Sequence, residues 1–292
     1  MTVIYPLLYM LGGLVVGRFI PSARTGLSAI LTRILIPFVI AYNLLTYQAG
    51  TALLAIFCFI FCGVLFLLGQ VFWRDKLRSL TFSYLNIGWL GLPLAIAIFG
   101  DAASRIIIAA YIGGSVFGNI ACVLAMQDEA SGRDMIRNTV SSPPVLAVFS
   151  GLLLHMSPFD LADASWLAVA YELAKQLMTI AGMCTLGIWL YCSKMTLASL
   201  RAAVPVSLLR AGLGAMIVGM FVWGCSELGI ELIASNVAVL FILPLLPPAA
   251  NTVVLETYYR GTGRSAQAIA SGTLVSLVLL SLFAAAVLLL RP

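Results

Sequence analysis

Two long apolar stretches contain proline, glycine and asparagine where an uninterrupted helix would be expected. The first reads FSYLNIGWLGLPLAIAIFG and includes Asn86, Gly88, Gly91 and Pro93. The second reads FILPLLPPAANTVVLETYY and includes Pro244, Pro247, Pro248, Asn251 and Thr252. Proline removes a backbone donor and clashes with the preceding turn, and glycine weakens a helix. Both stretches are therefore predicted to form broken helices.

The chemistry expected at such breaks is the binding of an anion. The N-terminus of a half-helix offers N–H groups and a positive dipole end, which suit a carboxylate. Neighbouring amides and hydroxyls add neutral hydrogen-bonding groups. The candidate substrate-binding residues at the breaks are Asn86, Gly91, Pro93, Pro248, Asn251 and Thr252. The alternative is a pair of proline kinks that only shape helix packing.

Ionisable residues within the apolar stretches form a second group of candidates. Lys175 lies three residues after Glu172, so it is either the counterion of a substrate carboxylate or the partner of that glutamate. Arg210, about 12 Å from the inner end of its predicted span, is a further candidate. Charged groups inside a membrane are costly and mark functional sites by default.

Two other ionisable residues have simpler interpretations. Arg33 lies about one turn from the end of its stretch, from which its side chain can reach the interface. Glu256 precedes Arg260 by four residues, a spacing that predicts local ion pairing on a helix.

The amino-acid composition indicates that these stretches lie in a membrane. Of 292 residues, 62% are hydrophobic and only 9% are charged, with a mean hydropathy of +1.09. Soluble domains carry roughly 25% charged residues, so a soluble enzyme, a nucleic-acid binder and a disordered protein are excluded. The six cysteines form no CxxC pair and there is a single histidine, so neither a metal site, a cofactor nor a disulfide framework is expected.

Ten membrane spans are predicted from apolar runs of about 20 residues. Their continuous hydrophobicity argues for helices and against a β-barrel. The sixth run is short and must tilt or extend into its flanks. The predicted spans are 3–19, 28–46, 52–73, 80–99, 104–126, 143–157, 165–190, 202–225, 234–259 and 266–290.

Basic residues alternate between the predicted loops. Eleven lysines and arginines fall in every second loop, beginning after the first span, and only Arg105 and Arg291 fall on the other side. Loops rich in Lys and Arg stay in the cytoplasm. This distribution predicts an even number of spans, with both termini outside the cytoplasm.

The longest polar stretch divides the spans into two sets of five. Residues 1–126 form the first set, 127–142 a cytoplasmic connection and 143–292 the second set. Because five is odd, the second set enters the membrane in the opposite sense, which is an inverted repeat typical of secondary transporters. The alternative is a ten-helix protein whose middle loop is merely longer. In such a repeat, the two broken spans, four and nine, occupy equivalent positions, because each is the fourth span of its set.

These motifs resemble those of the auxin efflux carrier family. NIGWLGLPLAIAIFG is similar to its fourth span, and PLLPPAANTVVLETYY followed by ASGTLVSLVLLSL to its ninth and tenth. LTRILIPFVIAYNLL is similar to its second span and SSPPVLAVFSGLLL to its sixth. The resemblance covers almost the whole chain in order. The chain lacks a long cytoplasmic insert and so resembles the short bacterial members.

The resemblance implies an all-α fold of ten helices, shared with bile-acid/sodium symporters, in which spans four and nine cross at their breaks beside the substrate. Asn86, Pro93, Pro248 and Asn251 are the implied crossover residues. It also suggests a coupling-ion site, for which the candidates are Ser115, Asn119, Glu172 and Thr273. Small polar residues in helices also serve close packing, which is the alternative.

The predicted function is secondary transport of a small organic anion, such as a carboxylate, outward or by exchange. A sodium-coupled symporter and a membrane sensor without transport are the alternatives. No catalytic motif is found in the sequence, so an enzyme is not expected. The expected partners are the organic anion and the lipid bilayer, with proton or sodium coupling and a homodimer left open, and no nucleic acid.

Overall fold

The structure is a computed structural model in which helices account for most of the described residues. It describes residues 4–46, 52–100, 102–127, 133, 137, 140–156, 164–193 and 195–290. Most of the predicted connection 127–142 and the charged residues Asp101, Asp160, Asp163 and Arg291 lie outside this part of the chain. The division of the chain at that connection therefore stays a prediction.

The helices begin and end close to the predicted bounds. In the first half they are α1 (Ile4–Phe19), α2 (Ala23–Leu45), α3 (Ala52–Trp73), α4 (Lys76–Ser83), α5 (Leu92–Phe99) and α6 (Ala103–Ala125). In the second half they are α7 (Pro143–His155), α8 (Ser165–Ser193), α9 (Leu197–Glu227), α10 (Glu231–Ala234), α11 (Val237–Leu240), α12 (Asn251–Arg260) and α13 (Ala266–Leu290).

Six of these helices, α2, α3, α6, α8, α9 and α13, are long and apolar enough to cross a membrane. Within α1 and α7, shorter apolar segments run from Leu8 to Phe19 and from Val145 to His155. The prediction of a helical, multi-pass membrane protein is confirmed at this level. No β-strand is found among the described residues.

The helices pack in two groups. In one, α1 runs along α8, and α2 runs along α7 and also contacts α8. In the other, α3 packs against α4 and α6, and α9 packs against α13. The close approach of α1 and α8 depends on small residues, because a methyl group on Gly13 would overlap the Cys184 carbonyl and one on Gly187 the Met10 carbonyl.

Both stretches that were predicted to break do so. Between α4 and α5 the backbone leaves the helix after Ser83 and re-enters through a π-helical turn, Ile87–Gly91. In the second half, α11 is followed by a single 3-10 turn, Leu243–Leu245, and α12 begins at Asn251. The extended backbone of Leu246 follows from its position before Pro247, where an α conformation is disfavoured.

Candidate functional site

The two breaks lie against each other and are joined through their backbones. Leu85 and Pro248 form an isolated antiparallel bridge. The Asn86 N–H donates to the Pro247 carbonyl at 2.8 Å, and the Ala249 N–H donates to the Tyr84 carbonyl at 2.8 Å. Polar backbone groups that leave a helix inside a membrane need partners in the protein. Each break supplies those partners to the other.

This hydrogen-bond pattern explains why proline is accommodated at position 248. In an antiparallel ladder, residue pairs alternate between those that exchange hydrogen bonds and those that do not. The bonds made by the neighbours on each side show that Leu85 and Pro248 form a pair of the second kind. The N–H that proline lacks would have no partner there, so the crossing loses no hydrogen bond.

A side-chain contact reinforces the crossing. The Asn251 amide Nδ2 donates to the Tyr84 hydroxyl at 3.1 Å, and both residues are buried. Gly118 of α6 lies against the Tyr84 ring, so closely that a methyl group there would overlap it. Sequence analysis did not single out Tyr84, although this aromatic hydroxyl lies two residues before Asn86 within the predicted break.

Two polar atoms at the start of α12 are buried without a strong hydrogen-bond partner among the described residues. They are the Asn251 Oδ1 and the Thr252 Oγ1. Thr252 is completely buried, and its hydroxyl has the Cys122 thiol, a weak hydrogen-bonding group, beside it. A buried polar group without a hydrogen bond costs about 1–3 kcal/mol. Such atoms are candidates for contact with a ligand or with water.

The backbone at the start of α12 is less available than expected. The Thr252 and Val253 N–H groups donate to the carbonyls of Ala249 and Ala250, at 3.1 and 3.2 Å. The expectation of a helix N-terminus open to an anion is therefore only partly met, because this turn is wound tightly enough to close 3-10 hydrogen bonds.

The three candidates of the first break, Asn86, Gly91 and Pro93, differ in their surroundings. The Asn86 side chain is 7% exposed and makes no hydrogen bond among the described residues. A methyl group on Gly91 would lie 2.9 Å from Leu246 of the opposite break. Pro93 lies in the first turn of α5, and its side chain is outside the described part of the structure.

A cavity of about 430 Å³ extends from the crossing between α4, α9 and the residues that connect α12 to α13. Pro248 forms part of its wall. Its charged lining residues are Asp75, Arg78, Arg210 and Arg264. Three positive groups and one negative group face this space, so its electrostatics favour an anion.

Arg210 is deeper than its sequence position suggested. Since α9 begins at Leu197, the residue lies about 20 Å along the helix at 1.5 Å per residue. Its side chain is 1% exposed, and its Nη2 donates to the Ser276 hydroxyl of α13 at 3.1 Å. Its Nε is buried and has no hydrogen-bond partner among the described residues.

Lys175 forms an ion pair on its own helix. Its ammonium lies 2.7 Å from the Glu172 carboxylate, and the two side chains are 33% and 56% exposed. It also lies 5.1 Å from the ring centre of Tyr171. Of the two interpretations left open for this lysine, the structure shows the contact that the pairing interpretation requires, and a counterion role stays a prediction.

Glu256 has partners other than the predicted one. Its completely buried carboxylate accepts hydrogen bonds from the Thr262 hydroxyl, the Arg264 N–H and both the N–H and the hydroxyl of Ser265, at 2.6–2.9 Å. Arg260 instead donates to carbonyls at the end of α6. The predicted ion pair of these two residues is not formed because Gly261, with φ +67°, turns the chain back over Glu256.

The candidates for a coupling ion mostly bond within their own helices. The Asn119 Nδ2 donates to the Ser115 carbonyl at 2.8 Å, and the Thr273 hydroxyl donates to the Ile269 carbonyl at 2.7 Å. The Asn119 Oδ1 is buried without a partner. Among the described residues, no group of three or more His, Cys, Asp or Glu side chains could hold a metal ion.

Comparison with known proteins adds no assignment. No model of a protein family matches the chain, and no curated protein matches it.

Proposed function

We propose that the protein is a secondary transporter that exports or exchanges a small organic anion by alternating access around the crossing. The observation that carries this proposal is the antiparallel joining of two broken helices through the bonds of Asn86 and Ala249. Secondary transporters typically bind their substrates near the midplane, at discontinuous helices in corresponding positions of two repeats. The Asn251 Oδ1 and the Thr252 Oγ1 beside the crossing are available for hydrogen bonds to a substrate.

We further propose that the chain has ten spans arranged as two inverted repeats. Six long helices, the shorter α1 and α7, and the two interrupted stretches together account for ten. The contacts of α1 with α8 and of α7 with α2 are equivalent under exchange of the two halves. The contacts of α3 with α6 and of α9 with α13 are equivalent in the same way. A two-fold relation between the halves predicts such matched pairs.

The charge of the cavity supports an anionic substrate, and its position supports access from the cytoplasm. Arg78 and Arg264 line the cavity and lie between predicted spans, at positions that the distribution of basic residues assigns to the cytoplasmic side. An anion inside the cell can thus reach the crossing in this conformation. The resemblance to short bacterial auxin efflux carriers agrees with outward movement through the inner membrane.

Exchange of a labelled carboxylate by purified protein in liposomes tests this function. Succinate and benzoate are suitable probes because they carry two charges and one charge respectively. We expect Asn86→Ala and Asn251→Ala to reduce exchange strongly, while the protein still inserts and folds, because each change removes one side chain and leaves the backbone hydrogen bonds between the two breaks in place.

Asn43→Ala is the matched control. Asn43 is equally buried, and it accepts a hydrogen bond from Tyr171 at 2.9 Å. We expect this substitution to have a smaller effect on exchange. Equal losses in all three variants would show that the breaks are packing features, and no exchange of either probe by the wild type would contradict the proposed function.

Sodium coupling is a second candidate that one observation favours. The Asn119 Oδ1 is buried without a partner next to Ser115, so it offers an oxygen to a small cation. Sodium usually requires several oxygen ligands. Exchange that is unchanged when external sodium is replaced by choline would exclude this version of the transporter.

A further inference from the structure

Arg210 is a buried cation for which the described residues supply no balancing anion. It lies near the middle of α9, is 1% exposed, and donates to the neutral hydroxyl of Ser276. Its Nε is also buried and has no hydrogen-bond partner in this part of the chain. Transfer of an unpaired charge out of water costs several kcal/mol. A protein that retains such a group in its membrane region needs a use for it.

The negative groups near the cavity are engaged elsewhere. Asp75, its one acidic lining residue, accepts the Arg78 N–H at 3.0 Å as the N-cap of α4. Glu256 does not line the cavity, and its two oxygens accept four hydrogen bonds from residues 262–265. Neither carboxylate is therefore bound to Arg210, and the positive charge of the cavity remains.

The two other arginines of the cavity are held at its rim. Arg78 is exposed, with its guanidinium 4.6 Å from the ring centre of Trp73. Arg264 is also exposed, and the bond from its N–H to Glu256 holds its backbone in place. Positive groups around the mouth of a cleft raise the local concentration of anions and speed their capture.

We propose that Arg210 is the residue that binds the carboxylate of the transported anion, with Arg78 and Arg264 guiding the anion to it. This inference rests on the proposed function and assigns its charge recognition to Arg210 instead of Lys175. A guanidinium keeps its charge at physiological pH and can donate two parallel hydrogen bonds to a carboxylate. The apolar lining residues Ala202, Ala203 and Val206 suit the hydrocarbon part of the ligand.

The cavity also limits the size of the ligand and brings the ligand close to the crossing of the two broken helices. A volume of about 430 Å³ falls within the usual range for small-molecule sites. Because Pro248 forms part of the wall, an anion on Arg210 would lie within the same cavity as the crossing. Binding at Arg210 can thus favour one arrangement of the crossing over another.

Thermal unfolding of purified protein in lipid nanodiscs tests the assignment, with succinate and benzoate as probes and succinamide and benzamide as uncharged controls. A ligand that binds the folded state raises the unfolding midpoint. We expect at least one carboxylate, and neither amide, to raise the midpoint of the wild type. Arg210→Gln should weaken this binding at least about 10-fold, since a hydrogen bond to a charged group is lost.

The variant Arg210→Met makes the test independent of ligand choice. If Arg210 is kept for an anion, an apolar side chain of similar length should raise the midpoint of the ligand-free protein, because the desolvation cost disappears. If Arg210 only holds α13 through Ser276, the same change should lower the midpoint. Arg33→Gln is the control for Arg210→Gln. It removes another arginine that donates to a neutral hydroxyl, that of Tyr258 at 2.7 Å.

The outcomes separate this inference from the proposed function. Exchange of labelled succinate that Arg210→Gln leaves unchanged would support a transporter but overturn the role of Arg210. A lower midpoint in Arg210→Met, or no response of the wild type to either carboxylate, would also overturn it. Loss of the carboxylate response in Arg210→Gln but not in Arg33→Gln would support it.

Discussion

The contact of Gly118 with Tyr84 allows a sharp test of the crossing. A methyl group at Gly118 would overlap the Tyr84 ring, so Gly118→Ala must displace the tyrosine. Overpacking a core costs about 1–3 kcal/mol, and losing the hydrogen bond from Asn251 to the tyrosine costs about 0.5–1.5 kcal/mol. The higher helix propensity of alanine offsets about 0.5–1 kcal/mol. We therefore expect a net loss of about 2 kcal/mol, within a range of about 0.5–4 kcal/mol.

The matched control is Gly212→Ala. Gly212 also lies inside a long helix, α9, but a methyl group there would have no atom within 4 Å. This variant should be as stable as the wild type or slightly more stable. Reversible unfolding in mixed micelles, followed by intrinsic fluorescence, measures both free energies. Equal stability of the two variants would refute the packing argument.

A second substitution separates the steric effect of Gly118→Ala from the loss of the hydrogen bond between Asn251 and Tyr84. Tyr84→Leu in the Gly118→Ala background restores room for the methyl group but does not restore the hydroxyl that receives the Asn251 amide. We expect most of the stability to return while exchange of labelled succinate stays low. Full recovery of exchange would show that the contact of Tyr84 with Asn251 is dispensable for transport.

Two further predictions concern charge and topology. Lys175→Gln should lower the free energy of unfolding by about 1 kcal/mol or less, because its pair with Glu172 is partly exposed. Glu172→Gln in the same chain should restore the unfolding midpoint, whereas lower succinate exchange at normal stability would indicate that Lys175 is a counterion. A reporter fused after Pro292 should be active only if it works outside the cytoplasm, as the eleven-to-two distribution of basic residues requires, and cytoplasmic activity would contradict ten spans.

The sequence alone determined where the helices lie and where they break. The span 52–73 was predicted with the bounds that the structure shows for α3, because a continuous apolar run has one low-energy form in lipid. Breaks within the stretches that contain Pro93 and Pro248 were also predicted, because proline and glycine act on the backbone of their own helix. Such effects are local and can be read from a few neighbouring residues.

Only the tertiary structure decided which groups meet. The bond between Tyr84 and Asn251 joins residues 167 positions apart, and nothing near either one indicates the other. The surroundings of Arg210 are of the same kind. Glu172 stands three residues before Lys175 in the sequence, whereas the cavity that Arg210 lines is formed by distant segments. The cost and the use of a buried charge depend on those surroundings, which the helix pattern does not contain.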